Sequence, residues 1–206
     1  MFELKEMPFQ EKYDSILGYS RLVEDFAQKL AKELGELRSS ELQSLWKQGT
    51  ETIPEDASDR DRYEIAYRNF MWTWVSANKF MESHQGEAGT KRYMQAAISA
   101  WKKKYSLEAF PLKIVESISR KTAFKILAKR LAYELQAFSS YMVTELNENR
   151  MVLNVAPCKI LMDKNGNNFC SMACQNIIPS WLEAQFDVKM DHKRQEQNCS
   201  IVFEHF

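Results

Sequence analysis

Apolar residues recur at helical spacing through the first part of the chain. Between Tyr13 and about Gln48 the apolar positions follow the period of an amphipathic helix. Gly35 and the pair Ser39–Ser40 predict a division of this segment into two helices, with Ser40 as the N-cap of the second. The chain therefore begins with a predicted pair of amphipathic helices.

Three further helices are predicted before residue 140. Ser58 precedes a helix of about residues 59 to 84, where it can act as an N-cap, and acidic residues in the first turn suit the helix dipole. Another helix is expected from about Glu87 to Lys104. A break at Ser106–Pro111 separates it from an amphipathic helix that extends to about Gln136. The first two-thirds of the chain are therefore predicted to be mostly helical.

Aromatic side chains cluster near one face of the helix at 59–84. They include Phe70 and Trp74. Aromatic residues at this spacing are more typical of a hydrophobic core than of a ligand site, because each ring buries a large area. Phe70, Trp74 and the later Trp181 are nevertheless the candidate ligand-binding residues.

The period changes after residue 140 from helical spacing to strand-like alternation. Two short β-type runs, Tyr141–Leu146 and Met151–Val155, flank an Asn-rich turn and predict a hairpin. A short helix is predicted near Cys158, and a longer helix from Phe169 to about Gln185. Two strands are predicted after it, at Phe186–Met190 and Cys199–Phe203.

These elements predict an α+β fold. Mostly helical N-terminal two-thirds are expected to pack on a small antiparallel C-terminal sheet. We expect an N-terminal helical extension at residues 1–57 and an α+β domain with a cysteine cluster at residues 58–206, which the family resemblance given below implies to be a ligand-pocket domain.

Charge and hydropathy exclude several partner classes. The chain has 28 basic and 28 acidic residues, so it has no net charge to attract nucleic acid or an anionic membrane. Its apolar runs are shorter than the roughly 20 residues that a membrane span needs. Residues 1–6 carry acids where a signal peptide is basic. A cytoplasmic location with reduced thiols is expected, and a small molecule or another protein is the expected partner.

All four cysteines of the chain lie in its last 49 residues. Their spacing is C-x11-C-x3-C-x24-C, for Cys158, Cys170, Cys174 and Cys199. Cys170 and Cys174 are four residues apart and share one face of a helix. Cys158 stands at the predicted start of a helix, where backbone amides and the helix dipole favour a thiolate.

Three interpretations of this cluster remain open. A zinc site would use all four cysteines, but the spacing lacks a C-x2-C pair, so no cofactor is favoured and zinc stays an alternative. A reactive thiol would be Cys158, or else Cys170 or Cys174. Buried cysteines also pack as small hydrophobic residues, and this is the expectation for Cys199.

The proton acceptor for a reactive thiol is expected to be His192 or Glu183. His192 belongs to the charged run Asp191–Arg194, which is typical of a solvated turn. His205 is next to the last residue, where fraying is expected. The chain contains no Gly-rich phosphate loop and no Gly-x-Ser-x-Gly elbow, which excludes many nucleotide-binding and hydrolase classes.

The order of motifs in the C-terminal part resembles a known family. Pro157-Cys158 is followed by a Cys170–Cys174 helix, by Phe186-Asp187-Val188, and by a last strand that begins with Cys199. This pattern, over about residues 60 to 206, is similar to the L-2-amino-thiazoline-4-carboxylic acid hydrolase family and to 4-vinyl-reductase-type small-molecule-binding domains. Gln195–Asn198 stands where the family commonly has a glycine turn.

The resemblance implies an apolar pocket enclosed by helices and a small sheet, and frequent pairing as a homodimer. It also implies hydrolytic ring opening of a small sulfur- and nitrogen-containing substrate by a cysteine nucleophile. Two alternatives of other classes are a non-catalytic domain that binds an apolar or pigment-like ligand, and a zinc-stabilised partner or scaffold protein.

Overall fold

The computed structural model of this chain describes residues 5–205, except the side chains of residues 107 and 108. Within that range it contains nine α-helices, one π-helix and four β-strands, and the predicted α+β class is confirmed. The expectation that no signal peptide is present depends on residues 1–6, of which 1–4 lie outside the described residues.

The helices and strands are bounded as follows. The α-helices are α1 Phe9–Glu33, α2 Glu36–Gly49, α3 Asp59–Gln85, α4 Glu87–Lys104, α5 Ser106–Ile118, α6 Arg120–Leu135, α7 Lys159–Met162, α8 Gly166–Phe169 and α9 Ile178–Phe186. The π-helix is Cys170–Ile177, between α8 and α9. The strands are β1 Met142–Leu146, β2 Arg150–Val155, β3 Val188–Gln195 and β4 Asn198–His205.

The chain forms two compact units. The first is Pro8–Ala100, and the second is Trp101–Phe206 together with the N-terminal residues up to Met7. The boundary predicted between residues 57 and 58 lies inside the first unit, in the connector between α2 and α3.

The core of the first unit is built where α1 packs along α3. Phe70 and Trp74 of α3 are fully buried in it. The Tyr93 ring meets Trp74 edge-on with centroids 5.4 Å apart, and its hydroxyl donates to the Trp74 carbonyl oxygen at 3.1 Å. These aromatic side chains therefore supply buried area and ring contacts to the core of this unit.

Gly35 and Ser58 set two helix boundaries in the first unit, one by its backbone conformation and one by a side-chain cap. Gly35 separates α1 from α2 with φ of +127°, a conformation that glycine adopts at little cost. The prediction that Ser40 caps the second helix is wrong, because α2 already begins at Glu36 and Ser40 lies inside it. The predicted cap of α3 is confirmed: the Ser58 hydroxyl accepts from the Asp61 amide at 3.2 Å.

The second unit contains an unexpected helix. The break predicted at Ser106–Pro111 is wrong, because α5 runs through it with Pro111 inside. The chain instead breaks at Ser119, which has extended φ and ψ of −154° and 103°. Its hydroxyl accepts from the Thr122 amide at 3.3 Å and so caps α6, which moves the break to this position.

The four strands form an antiparallel sheet in the order β1-β2-β4-β3. The predicted β1–β2 hairpin is confirmed. The turn predicted at Asp191–Arg194 is wrong: these residues belong to β3 and pair with β4. The chain turns instead beyond Gln195, where Glu196 has φ of +50°.

His205 is held at the end of β4. Its backbone pairs with Val188, and its amide donates to the Asn149 carbonyl oxygen at 3.0 Å. Its side chain is 8% exposed and lies 3.5 Å from the Glu116 carboxylate. The expectation of fraying is therefore wrong, since pairing and burial extend to this residue.

Among the helices of the described residues, none combines the length and apolar character needed to cross a membrane.

The Ser58 cap gives a prediction for stability. Ser58→Ala should lower the free energy of unfolding by about 1 kcal/mol, because the Asp61 amide loses its acceptor. Ser40→Ala is the matched control and should change stability by less than about 0.5 kcal/mol, since Ser40 is an exposed residue within α2. Urea denaturation followed by circular dichroism measures both, and equal losses would contradict the assignment of the cap.

Candidate functional site

A small cavity lies in the second unit, between the sheet and the helices around it. Its apolar lining comes from Leu135, Phe138, Leu153, Val155, Ile160 and Ile201. The polar side chains of the lining are the four cysteines, Ser139, Tyr141 and His192. The volume is about 30 Å³, which is room for about two water molecules.

The register of the sheet places one cysteine in this cavity. Side chains alternate along a strand, so Cys199 and Ile201 of β4 are on the same face and are both buried. Their partners on β2 are Val155 and Leu153, which complete the inner face beside them. On the other side of β4, His192 of β3 pairs with Ile201.

Two backbone hydrogen bonds fix the segment that carries Cys158. The Cys158 amide donates to the Gln197 carbonyl oxygen at 2.7 Å, which ties it to the β3–β4 turn. The next amide, of Lys159, donates to the Ser139 hydroxyl at 2.9 Å. The Cys158 sulfur is therefore held beside both Ser139 and Cys199.

The short helix after Cys158 packs tightly against the next one. A Cβ atom on Gly166 would lie 1.7 Å from the Ile160 carbonyl oxygen, so only glycine fits at the start of α8. This close approach holds α7, and with it the amides of Ile160 and Leu161, in place.

Cys170 and Cys174 lie on the π-helix, a rare wide turn that is frequent at functional sites. Both side chains are buried, and both line the cavity together with Cys158 and Cys199. All four thiols are free.

The surroundings of Cys158 favour its thiolate. A hydrogen bond from the Cys199 thiol, together with the amides of Leu161 and Ile160 and the Ser139 hydroxyl, lowers the pKa of Cys158 to about 6 against the opposing effect of burial. Hydrogen bonds to a charged form stabilise that form. About nine-tenths of Cys158 is therefore ionised at pH 7.

The other three thiols differ from Cys158 in charge. The hydrogen bond to Cys158 and burial raise the pKa of Cys199 far above its ordinary value. The hydrogen bond to Cys170 and burial do the same for the pKa of Cys174. The pKa of Cys170 is lowered by its bond from Cys174, although the nearby Cys158 charge opposes a second thiolate. Cys158 is therefore the site's main negative charge.

His192 lies on the half-buried side of the cavity with Leu135 and Tyr141. Burial, with a smaller effect of Arg194, lowers the pKa of His192, so the ring is neutral at pH 7. Its Nδ1 atom is buried and makes no hydrogen bond within the described residues.

Three candidates for ligand binding lie elsewhere. Phe70 and Trp74 belong to the core of the first unit. Trp181 of α9 is buried 4.8 Å from the Tyr105 ring, and it lines a separate small cavity with Tyr105 and Phe186. The alternative proton acceptor Glu183 is exposed on α9 and is not part of the cavity lining described above.

Metal binding has no support in the positions of these side chains. Across residues 5–205, no three His, Cys, Asp or Glu side chains are arranged to hold a metal ion.

The sequence alone does not show that Ser139 and Cys199 affect the ionisation of Cys158. Ser139 is buried in the cavity while its neighbour Ser140 is exposed, and nothing in the local sequence distinguishes them. Cys199, expected to be structural, donates to Cys158; its alternation with Ile201 and Phe203 was the available signal that it faces inward.

The fold and the site define an α+β protein with a small cavity lined by four free thiols. Comparisons of the chain with protein-family models, with curated proteins and with solved structures found no match.

The donor set around Cys158 gives a prediction for its ionisation. Ser139→Ala should raise the pKa of Cys158 by about one unit, because the thiolate loses a hydroxyl donor. The pH dependence of Cys158 alkylation, resolved by peptide mass spectrometry, measures it. Reaction requires the thiolate, so the rate should rise with pH through a midpoint near 6 in the wild type.

Ser117→Ala is the matched control for this change. Ser117 is an exposed serine of α5 whose hydroxyl bonds only locally, to the Ile114 carbonyl oxygen at 2.7 Å. Its loss should leave the midpoint of Cys158 unchanged. An unchanged midpoint in Ser139→Ala would show that the hydroxyl does not stabilise the thiolate.

Proposed function

We propose that this protein is a cysteine-dependent, hydrolase-like enzyme for a small sulfur- or nitrogen-containing molecule, with Cys158 as its nucleophile. The observation that carries the proposal is the group of donors directed at one sulfur inside an apolar cavity. Apolar surroundings alone would protonate a buried thiol, so a buried thiolate is typical of a reactive site.

The proposed chemistry proceeds in two steps. The Cys158 thiolate adds to an electrophilic carbon of the substrate, and the bond from that carbon to a nitrogen or sulfur breaks. Water then attacks the covalent intermediate and releases the thiolate. Solvent protonates the nitrogen or sulfur that leaves in the first step. In the second step neutral His192 takes a proton from the attacking water and then releases it to solvent.

The lowered pKa of Cys158 increases the fraction of thiolate more than it increases the rate of reaction. At pH 7 it raises the thiolate fraction about 30-fold above that of an ordinary cysteine. A thiolate of lower pKa is also a weaker nucleophile, which offsets about tenfold of this gain. Most rate enhancement must therefore come from orientation in the cavity.

The resemblance in motif order supports this reaction class, because the similar family opens a thiazoline ring with a cysteine. The cavity volume favours a substrate whose reacting part contains few heavy atoms. The four thiols are free, and a reducing environment keeps thiols free, so a cytoplasmic location is part of the proposal. Pairing as a homodimer is also part of it.

A non-catalytic binding role is the second candidate, and the largely apolar lining favours it. The cavity is too small for a pigment-sized molecule as it stands. Native mass spectrometry of the purified protein separates the two roles: a retained apolar ligand supports binding, and an empty protein that turns over substrate supports catalysis.

A cysteine-to-serine series tests the proposed nucleophile. Cys158→Ser should abolish both the fastest alkylation by iodoacetamide at pH 7 and the hydrolysis of 2-amino-thiazoline-4-carboxylate, with at least about a 100-fold loss of activity. Cys170→Ser is the matched comparison and should keep both activities, because Cys170 is not among the donors that lower the pKa of Cys158 and the two charges only oppose each other. Four thiols that react equally slowly in the wild type would overturn the proposal.

His192→Gln tests the proton transfer separately. It should lower hydrolysis about 100-fold or more while alkylation of Cys158 stays fast, since alkylation needs no general base. Hydrolysis unchanged in this variant would remove His192 from the mechanism.

A further inference from the structure

Cys199 has a position that the proposed hydrolysis does not use. Its side chain lines the same small cavity as that of Cys158. The Cys158 amide donates at 2.7 Å to the carbonyl oxygen of Gln197, two residues before Cys199, so the two sulfurs are neighbours there. Hydrolysis at a cysteine needs one sulfur and a base, whereas a second thiol in contact with the first enables chemistry that joins them.

We propose that Cys158 and Cys199 reduce a small hydroperoxide and are converted to a disulfide. The inference rests on the Cys158 nucleophile of the proposed function and adds a second activity at the same sulfur. The substrate class is a hydroperoxide of the size of hydrogen peroxide.

The proposed reaction balances in two steps. The Cys158 thiolate attacks one peroxide oxygen, the O–O bond breaks, and Cys158 sulfenic acid and hydroxide form; solvent protonates the hydroxide. Conversion of the Cys158 thiolate to a neutral sulfenic acid removes the charge that helped to raise the pKa of Cys199. The Cys199 sulfur then attacks the sulfenic sulfur, its proton joins the departing hydroxide, and the disulfide and water form. The two sulfurs lose two electrons, and the peroxide gains them. A low-molecular-weight thiol restores the dithiol by exchange.

The cavity selects this substrate by size and by polarity. Its volume of about 30 Å³ holds the two oxygen atoms of hydrogen peroxide as it stands, whereas a branched alkyl group, like the larger substrate of the hydrolysis, needs the lining to move. The buried Nδ1 of His192 makes no hydrogen bond within residues 5–205, so it offers a site to a peroxide hydroxyl group. The rest of the lining is largely apolar and offers the peroxide few competing positions.

The second thiol pair acts differently in this proposal. The pKa of Cys170 is lowered as well, mainly by a hydrogen bond from Cys174, but less than that of Cys158, because burial and the charge on Cys158 oppose it. Peroxide reacts with thiolates, so oxidation should begin at Cys158 and leave Cys170 and Cys174 reduced at stoichiometric peroxide.

The test is oxidation of the reduced full-length chain with one equivalent of hydrogen peroxide at pH 7. Peptide mass spectrometry should find a Cys158–Cys199 disulfide that dithiothreitol reverses. In Cys199→Ser, which keeps a hydroxyl donor, Cys158 should instead gain oxygen atoms. Ser117→Ala, at an exposed serine of α5 that is not part of the cavity lining, is the control and should form the disulfide as the wild type does. tert-Butyl hydroperoxide should react at least tenfold more slowly with the wild type.

Three results would overturn the inference: a Cys170–Cys174 disulfide with Cys158 untouched, oxygen added to wild-type Cys158 while Cys199 stays reduced, or equal rates with both peroxides. If Cys158 is alkylated rapidly but is not oxidised by hydrogen peroxide, this inference fails, whereas the proposal that Cys158 is a nucleophile is retained. If Cys158 is slow towards both reagents, both proposals fail. Differential alkylation of wild-type thiols before and after peroxide gives the same answer should Cys199→Ser not fold.

Discussion

The inner face of the sheet is the constraint on which the site depends. Strands β2, β4 and β3 must each bury every second side chain, and full burial of one such aliphatic residue contributes about 1.5–3 kcal/mol. Shifting β4 by a single residue would expose Ile201 and turn Cys199 outward at the same time. The burial energy that sets the register of β4 therefore also sets the position of Cys199 beside Cys158.

The cavity keeps a charge where apolar surroundings oppose it. Burial alone raises the pKa of a thiol, yet Cys158 is ionised because several donors meet at its sulfur. The pKa of Cys158 falls to about 6, so these donors together outweigh the cost of burial. One hydrogen bond to a charged group is typically worth about 1.5–3 kcal/mol, so more than one donor is required to exceed the cost of burial.

Much of the fold could be predicted from periodicity, and the site only in part. The change of period near residue 140 located the sheet, because alternation on β4 is as clear as the helical spacing before it. The charged residues of β3 concealed a strand, since His192 faces the cavity while its neighbours face solvent. Clustering of cysteines identified the region, but the partner of each thiol depends on strand register and on the hydrogen bond between Cys158 and Gln197. Local sequence carries neither.

Strand β3 also has a consequence for how copies of the chain meet. It is an outer strand of the sheet, so one row of its backbone amides and carbonyls lacks a strand partner within the described sheet. Such a row is a template for pairing with another strand, and natural proteins discourage this with charge. Lys189, Lys193 and Arg194 stand along β3 and are exposed. The same charged residues that make β3 look like a turn in the sequence would thus oppose pairing of this edge strand with another copy of the chain.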